Sequence, residues 1–349
     1  MDSSIASIMN CADQVIKGIP LDRKQARALM HTEAHDTLFL LASADRIRQY
    51  FCGDSISFCA DINARSGRCT EDCRFCAQSG YYHTGVKEYA LRSEEDLLRQ
   101  AKAAEAYGAA RFGIVTSGRG QENPVQFRHI VSAVRKIREE TGLEVCCSLG
   151  LLTEEQLNVL REAGAVRIHC NLETSERNFP NICTTHTYQD KIRHIRRIRE
   201  AGLEVCCGGI LGLGETEEDR LDLAFALQKL EICSVPLNLF TSIPGTPFAH
   251  RKELTPMEAC RIFAVFRFIL PRAVIRVCAG REKSLRDLQA MAFASGLNGA
   301  MIGGYLTIEG QPPERDRQMA RDLGRSCACS AEKSPAVMEM KSVSHGRNA

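Results

Sequence analysis

Charge of one sign is what the sequence lacks first: 45 Lys and Arg stand against 43 Asp and Glu, for a formal net charge of +2. No basic block and no basic stripe interleaved with aromatics runs through it, so no nucleic-acid partner is expected. Nor does any apolar run approach the roughly 18 to 20 residues of a membrane span. The opening stretch MDSSIASIMNCADQVIKGI has neither the basic start nor the continuous apolar core of a signal peptide. These absences predict a cytoplasmic chain with no membrane partner. In that compartment thiols stay reduced, and 17 cysteines, an odd number, do not read as a disulfide framework. What is present is a chain of 349 residues, 44% hydrophobic and 25% charged, which excludes disorder and coiled coil as its main architecture. So many soft thiolates point to metal, and to iron–sulfur above all.

From about residue 56 onward, short β-branched runs alternate with longer amphipathic stretches. Eight strands are predicted, at 56–62, 111–116, 143–149, 166–172, 203–210, 234–240, 273–279 and 299–304. Caps mark the helices between them: Ser93 with Asp96, Thr153 with Gln156, Thr216 with Asp219, and Thr255-Pro256-Met257-Glu258. Eight βα units fit a closed (β/α)8 barrel of the TIM type, here spanning 51–325. Residues 1–50 read as an N-terminal helical cap over the barrel bottom (Ala12 to Ile16, then Asp22 to Tyr50 with a break), and 326–349 as a short mobile tail. Gly-Leu-Glu-Val-Cys-Cys occurs at 142–147 and again at 202–207, entering the third and fifth strands. A Gly helix stop before a buried strand explains that echo except for its cysteines.

Cys69, Cys73 and Cys76 follow the first strand in a loop, with three and then two residues between them. Three thiolates at that spacing can hold three corners of a cubane and leave its fourth iron without a protein ligand. Structural zinc is the alternative, but it wants four ligands, and no nearby Cys or His has the spacing. The loop leaves the strand at the C-terminal face, where barrel enzymes place their chemistry.

CxxxCxxC with an aromatic before the last Cys is the signature of the radical S-adenosylmethionine superfamily. Asn171-Leu-Glu173-Thr-Ser, Thr184-Thr-His-Thr-Tyr188, Gly208-Gly-Ile-Leu-Gly-Leu-Gly-Glu-Thr216, Pro244-Gly-Thr-Pro247 and Ala279-Gly-Arg-Glu282 further resemble, in order, the motifs of the biotin synthase family over roughly residues 40 to 325. The resemblance implies a [4Fe-4S] cluster whose open iron chelates S-adenosylmethionine, and reductive cleavage of that cofactor to a 5′-deoxyadenosyl radical. It places Phe75 near the adenine, Glu173 on the ribose hydroxyls and Lys191 on the methionyl carboxylate. Gly208, Gly209 and Gly212 would let backbone approach the cofactor. Asn171 and Asn238 would hydrogen-bond the ureido ring of dethiobiotin, for which an amide is a suitable partner. His169 shares the Asn171 face and reads equally well as a satisfied buried histidine.

An auxiliary cluster is also implied, in the usual pattern a [2Fe–2S] held by positions matching Cys146, Cys206 and Arg276 and by a Cys on the second strand. The matching residue here is Gly113, which has no ligand atom. Cys278 lies two residues from Arg276 and so shares its face. Three thiolates from odd-numbered strands then suggest four irons rather than two, closed by Cys327 or Cys329 or left open for a sulfide. Cys147, Cys170 and Cys207 face the other way, and Cys11, Cys52, Cys59, Cys183, Cys233 and Cys260 are assigned to packing. The expectation is sulfur insertion into dethiobiotin by a homodimer fed by a low-potential donor such as flavodoxin or ferredoxin. A related radical maturase or mutase, and a non-enzymatic iron–sulfur carrier, are the rival readings.

Overall fold

The computed structural model describes residues 3–307 and 310–328. Its strands are β1 (Ser55–Arg65), β2 (Arg111–Thr116), β3 (Glu144–Ser148), β4 (Ala165–His169), β5 (Glu204–Cys206), β6 (Gly209–Leu211), β7 (Ser234–Leu239), β8 (Val274–Val277), β9 (Gly299–Met301) and β10 (Ser326–Ala328). Every pairing between them is parallel, and β9 returns to β1 through Ser57 and Gly299, so the sheet closes into a barrel. The predicted strand at 203–210 is split: β5 and β6 both pair with β7 and together make one of eight staves. Its break, at Cys207 and Gly208, lies beside Pro236, whose nitrogen has no hydrogen to donate. A Cβ on Gly208 would also run into the Pro236 carbonyl.

Helices fill the crossovers, and the four caps read from sequence are formed. Thr153, Thr216 and Thr255 make reciprocal capping boxes with Gln156, Asp219 and Glu258, and Ser93 accepts from the Asp96 amide. Of the two echoed glycines only Gly202 takes the left-handed conformation, with φ of 76°. The N-terminal region is three helices, α1 (Ser3–Ile16), α2 (Arg23–Met30) and α3 (Thr37–Cys52), with the break at 31–36. α2 and α3 pack against the outer helix Pro256–Ile269. The tail begins later than expected: after the helix Pro313–Asp322, β10 adds to the start of β1, Ser326 beside Ser55. A buried Arg281–Asp316 ion pair at 2.7 Å anchors that last helix. The rest of the expected mobile tail lies outside the described residues.

Candidate functional site

The loop after β1 is fastened before its cysteines are reached. Cys69 N–H donates to the Gln78 carbonyl at 2.9 Å and Gly80 N–H to the Cys69 carbonyl at 2.8 Å, closing the loop on itself. A second segment, 182–187, clamps it from outside. Asp72 accepts the amides of Thr184 (2.8 Å) and Thr185 (3.2 Å), and Arg74 N–H reaches the Ile182 carbonyl at 2.9 Å. Three thiols are thereby brought together. Cys69 accepts the Gly118 amide at 3.2 Å, burial pushes Cys76 up to about 11, and Cys73 is raised by its hydrogen bond to Cys183 and then by burial. Three half-buried sulfurs on one loop, none in a disulfide, fit a cluster corner.

Cys183 sits in the hydrophobic core, as its assignment to packing expects, and its sulfur is in addition set among polar groups. Its sulfur lies 3.2 Å from Asp72 Oδ1 and 3.3 Å from His186 Nδ1, and His186 in turn pairs closely with Glu71. Although burial opposes it, the hydrogen bond from Cys73 and those from His186 and Thr185 bring Cys183 down to about 5. Nothing in the local sequence places 183 beside 73, because only the fold joins the two loops. The order Cys-Thr-Thr-His was nonetheless visible.

Above these thiols opens a cavity of about 330 Å³, lined among others by Phe75, Glu173, Lys191, Asn171 and Asn238. Lys191, on the helix Tyr188–Glu200, turns inward rather than to water. Burial works against its charge, but Cys170, Glu173 and Cys73 hold its pKa above the ordinary value. Glu173 stands at φ of 68°, a left-handed conformation that costs about 1–3 kcal/mol. It is held there by Ile210 N–H donating to its carbonyl at 2.8 Å. Burial raises its carboxyl.

The three glycines do something other than what their motif suggests. A Cβ on Gly209 would meet the Glu173 carbonyl at 2.5 Å, and one on Gly212 the Leu254 side chain at 3.3 Å. None of Gly208, Gly209 and Gly212 lines the cavity, so their smallness serves contact between neighbouring protein segments. The two asparagines also have protein partners. Asn171 Oδ1 accepts the Gly208 amide at 2.9 Å while its Nδ2 donates to Glu173 at 3.2 Å, and Asn238 Oδ1 accepts the Ala279 amide at 3.1 Å.

Deeper in the same cavity, the barrel wall supplies a second set of thiols: Cys146 from β3, Cys206 from β5 and Cys278 just past β8. Cys59 of β1, assigned to packing, does pack in a small buried cluster with Cys278 and Met301, and it also joins these thiols. It lines the cavity and lies close enough to Cys206 and Cys278 for their charges to be felt. Strand alternation could have found it, since Cys59, Asp61 and Asn63 are two apart on an odd-numbered stave. Cys147, Cys170 and Cys207 sit in the hydrophobic core as expected, but Cys147 and Cys170 also border the cavity rather than facing wholly away from it. Cys327 does not reach the set: it pairs beside Ile56 in β10, and does not line the cavity. Cys329 lies outside the described residues.

The second set has cationic neighbours. Arg276, 3% exposed, donates to Ser234 Oγ at 3.2 Å but leaves Nε and Nη2 without partners, as Arg167 leaves Nη1. Buried N–H groups of this kind need an acceptor. An anionic, sulfur-rich group among the four thiols would supply one, so the residues fit an iron–sulfur cluster. Although burial opposes it, the His169 hydrogen bond and then Arg276 and Arg167 bring Cys206 down to about 6, whereas burial pushes Cys146 up to about 12. Gly113 is accounted for by its neighbour, since a Cβ there would collide with Asp61 Oδ1. A carboxylate fills the space that a second-strand ligand would need.

Residues 64–227 match the Radical SAM superfamily, and residues 236–326 match the Biotin and Thiamin Synthesis associated domain. The chain is 47% identical over 313 residues to a biotin synthase of Geobacter sulfurreducens, covering 90% of this chain and 95% of that one. It is 44% identical over 318 residues to one of Carboxydothermus hydrogenoformans, covering 91% and 98%. Among solved structures, methylornithine synthase superposes with a TM-score of 0.81 at 19% identity, covering 95% of this chain and 99% of that chain. HydG, a maturase of the [FeFe]-hydrogenase, also gives 0.81, at 15% identity over 96% and 80%. At those identities the likeness is one of fold.

Proposed function

The chain belongs to the biotin synthase family, and from that premise we propose how its two sets of thiols divide the conversion of dethiobiotin to biotin. It is a radical S-adenosylmethionine enzyme that uses a [4Fe-4S] cluster. Cys69, Cys73 and Cys76 hold that cluster, with Phe75, Glu173 and Lys191 around the S-adenosylmethionine. When bound there, the cluster supplies the electron that cleaves the cofactor. The chain's own part is to orient and enclose. Lys191 pairs with the methionyl carboxylate, Glu173 accepts from the ribose, and the barrel wall keeps water from the reacting carbons.

Cys59, Cys146, Cys206 and Cys278 hold the auxiliary cluster from which sulfur is taken, and it contains four irons rather than two. The observation that carries this is the second set itself: four thiols and unpartnered N–H groups of two guanidiniums face one cavity, while the fourth position of a [2Fe–2S] site is Gly113 beside Asp61. Arg276 then acts as a hydrogen-bond donor rather than a ligand, as suits a protonated guanidinium. Asn171 and Asn238 grip the ureido group through their remaining N–H and lone-pair capacity. Working as a cytoplasmic homodimer with a flavodoxin or ferredoxin as electron donor completes the reading. A related maturase or mutase is disfavoured by the thiols set into the wall.

Anaerobically reconstituted protein tests this by iron counting and Mössbauer spectroscopy, with 5′-deoxyadenosine assayed with and without dethiobiotin. About eight irons per chain are expected from two four-iron clusters. A [2Fe–2S] signal that persists in Cys278→Ala would end the four-iron assignment.

A further inference from the structure

We propose that the cluster on the loop takes its electron through a second cavity, beside Cys69 and apart from the one that holds the cofactor, and that this cavity with its arginine rim is where an acidic one-electron carrier protein docks. The inference deepens the functional reading above and rests on its assignment of Cys69, Cys73 and Cys76 as iron ligands.

The cavity, of about 500 Å³, lies between the chain leaving β1 and the chain leaving β2. It shares no lining residue with the first cavity. Cys73 and Cys76 line the first, whereas Arg68 and Thr70, the neighbours of Cys69 on either side, line the second. Gly118 lines it too, and its N–H donates to the Cys69 sulfur at 3.2 Å, so one hydrogen bond joins the wall of the second cavity to a ligating sulfur. A cluster with S-adenosylmethionine on its open iron and dethiobiotin beyond is covered on that side. An electron delivered with both in place has to arrive from another.

Charge decides what kind of partner fits. Arg65 donates to the Ser117 carbonyl at 3.1 Å and to Gln126 Oε1 at 2.6 Å, and Arg119 to the Thr185 carbonyl at 3.0 Å. Among the described residues neither guanidinium is paired with a carboxylate. Arg68 stands out from the rim and meets Glu88 at 2.7 Å, which leaves Glu122 as the lining's one carboxylate without a cation among the described residues. Ser66, 3% exposed, also lines the cavity, and its Oγ has no partner. A buried hydroxyl of this kind calls for one. The helix Pro124–Glu140 begins at the rim with Asn123 and adds the positive end of its dipole. Guanidiniums without counter-charge, an unsatisfied hydroxyl and a helix start together seat a carboxylate, and a carrier protein with an acidic face brings several at once. Such complementarity acts chiefly on the rate of encounter. In the step itself the reduced carrier loses one electron and the cluster gains it; no bond forms or breaks and no proton moves.

The test mixes flavodoxin hydroquinone, an acidic carrier, with the anaerobically reconstituted full chain and follows cluster reduction by stopped-flow absorbance and freeze-quench electron paramagnetic resonance. Photoreduced 5-deazariboflavin, uncharged and too small to need a docking face, is the reference reductant. Arg68→Glu/Arg119→Glu should lower the second-order rate with flavodoxin about tenfold or more at low salt. The gap should close toward about 1 M salt, where the screening length is about 3 Å. Glu122→Gln should raise the same rate about two- to threefold. Calorimetric titration with oxidised flavodoxin should show the double variant binding about tenfold more weakly. Iron content and the deazaflavin rate should match those of the unaltered chain throughout. A flavodoxin rate untouched in the double variant overturns the proposal, and so does an equal loss with both reductants, which would make Arg68 and Arg119 supports of the loop. A dimer that dissociates in the double variant overturns it too, because the face would then belong to a second copy of the chain. A reducible cluster that survives in Cys69→Ala refutes the ligand assignment, and the proposal with it; that failure is recognised by iron content before any carrier is added.

Discussion

Cys69, Cys73 and Cys76 share one loop and take their positions from hydrogen bonds to another loop, whereas Cys59, Cys146, Cys206 and Cys278 are held by the barrel wall. The electrostatics differ as much as the scaffolding. Around the loop set lie the carboxylates of Glu71 and Asp72, masked by threonines and a histidine; around the wall set lie the guanidiniums of Arg167 and Arg276. Burial holds Cys76 of the loop near 11 and Cys59 of the wall near 11 as well, but in the wall the neighbouring imidazole and cations bring one thiol, Cys206, down to about 6. In the proposed reading the same side chain is given different tasks by its surroundings: one set would meet a cofactor that must enter and leave, the other would be enclosed with its counter-charges.

If the two sets are separate devices, variants should separate them. The largest effect is expected from Cys73→Ala, which should reduce 5′-deoxyadenosine formation by about 10⁴-fold or more, the scale of losing an essential catalytic group. Its melting temperature should change little, because Cys73 packs only at the margin of the core; wild-type turnover by this variant would dissolve the distinction. Cys278→Ala is the mirror experiment. It should still make 5′-deoxyadenosine while biotin formation falls to background, with the iron content dropping from about eight to about four. Parallel loss of both products would mean the sets are not independent.

Asn171 lies between the two and should report on both. Removing one buried hydrogen bond costs about 1–3 kcal/mol, so Asn171→Ala should weaken dethiobiotin binding about 5- to 150-fold in equilibrium titration. Because Asn171 also carries the Gly208 amide, thermal stability should drop as well, a loss that a purely substrate-facing residue would not produce. The smallest effect sharpens the wall site alone. Gly113→Ala should destabilise the fold by about 1–3 kcal/mol through the collision with Asp61, measured by denaturant unfolding. The penalty should shrink in an Asp61→Ala background. Equal penalties in the two backgrounds would show that Asp61 does not hold that space.

Most of the barrel could be read from the chain because strand alternation and helix caps are local signals. The cap threonines form the boxes their spacing implies, and the staves fall on the expected runs. The break at Cys207 and Gly208 was hidden because it depends on Pro236, a neighbour in space and not in sequence. β10 was hidden because three residues carry no periodicity. Among functional residues, the CxxxCxxC triplet is legible for the same reason the caps are. Cys59 obeyed the alternation already applied to its partners and could have been read. The polar neighbours of Cys183 could not, since they depend on two loops meeting. The glycines of 208–212 mislead in a different way: their smallness is real, but a protein carbonyl or side chain is what takes up the space.

The placement of the wall thiols bears on the order in which the protein is assembled. Cys69, Cys73 and Cys76 are near neighbours along the chain, so little loop entropy opposes their gathering, and they can take up iron on a partly folded polypeptide. Cys59 and Cys278 come from opposite ends of the barrel's sequence and meet only after β9 has closed on β1. The wall site therefore exists only in a finished barrel. In the proposed reading, iron delivered early should fill the loop alone, while a wall cluster would have to be inserted through the mouth into a nearly native protein and would then brace the closed barrel.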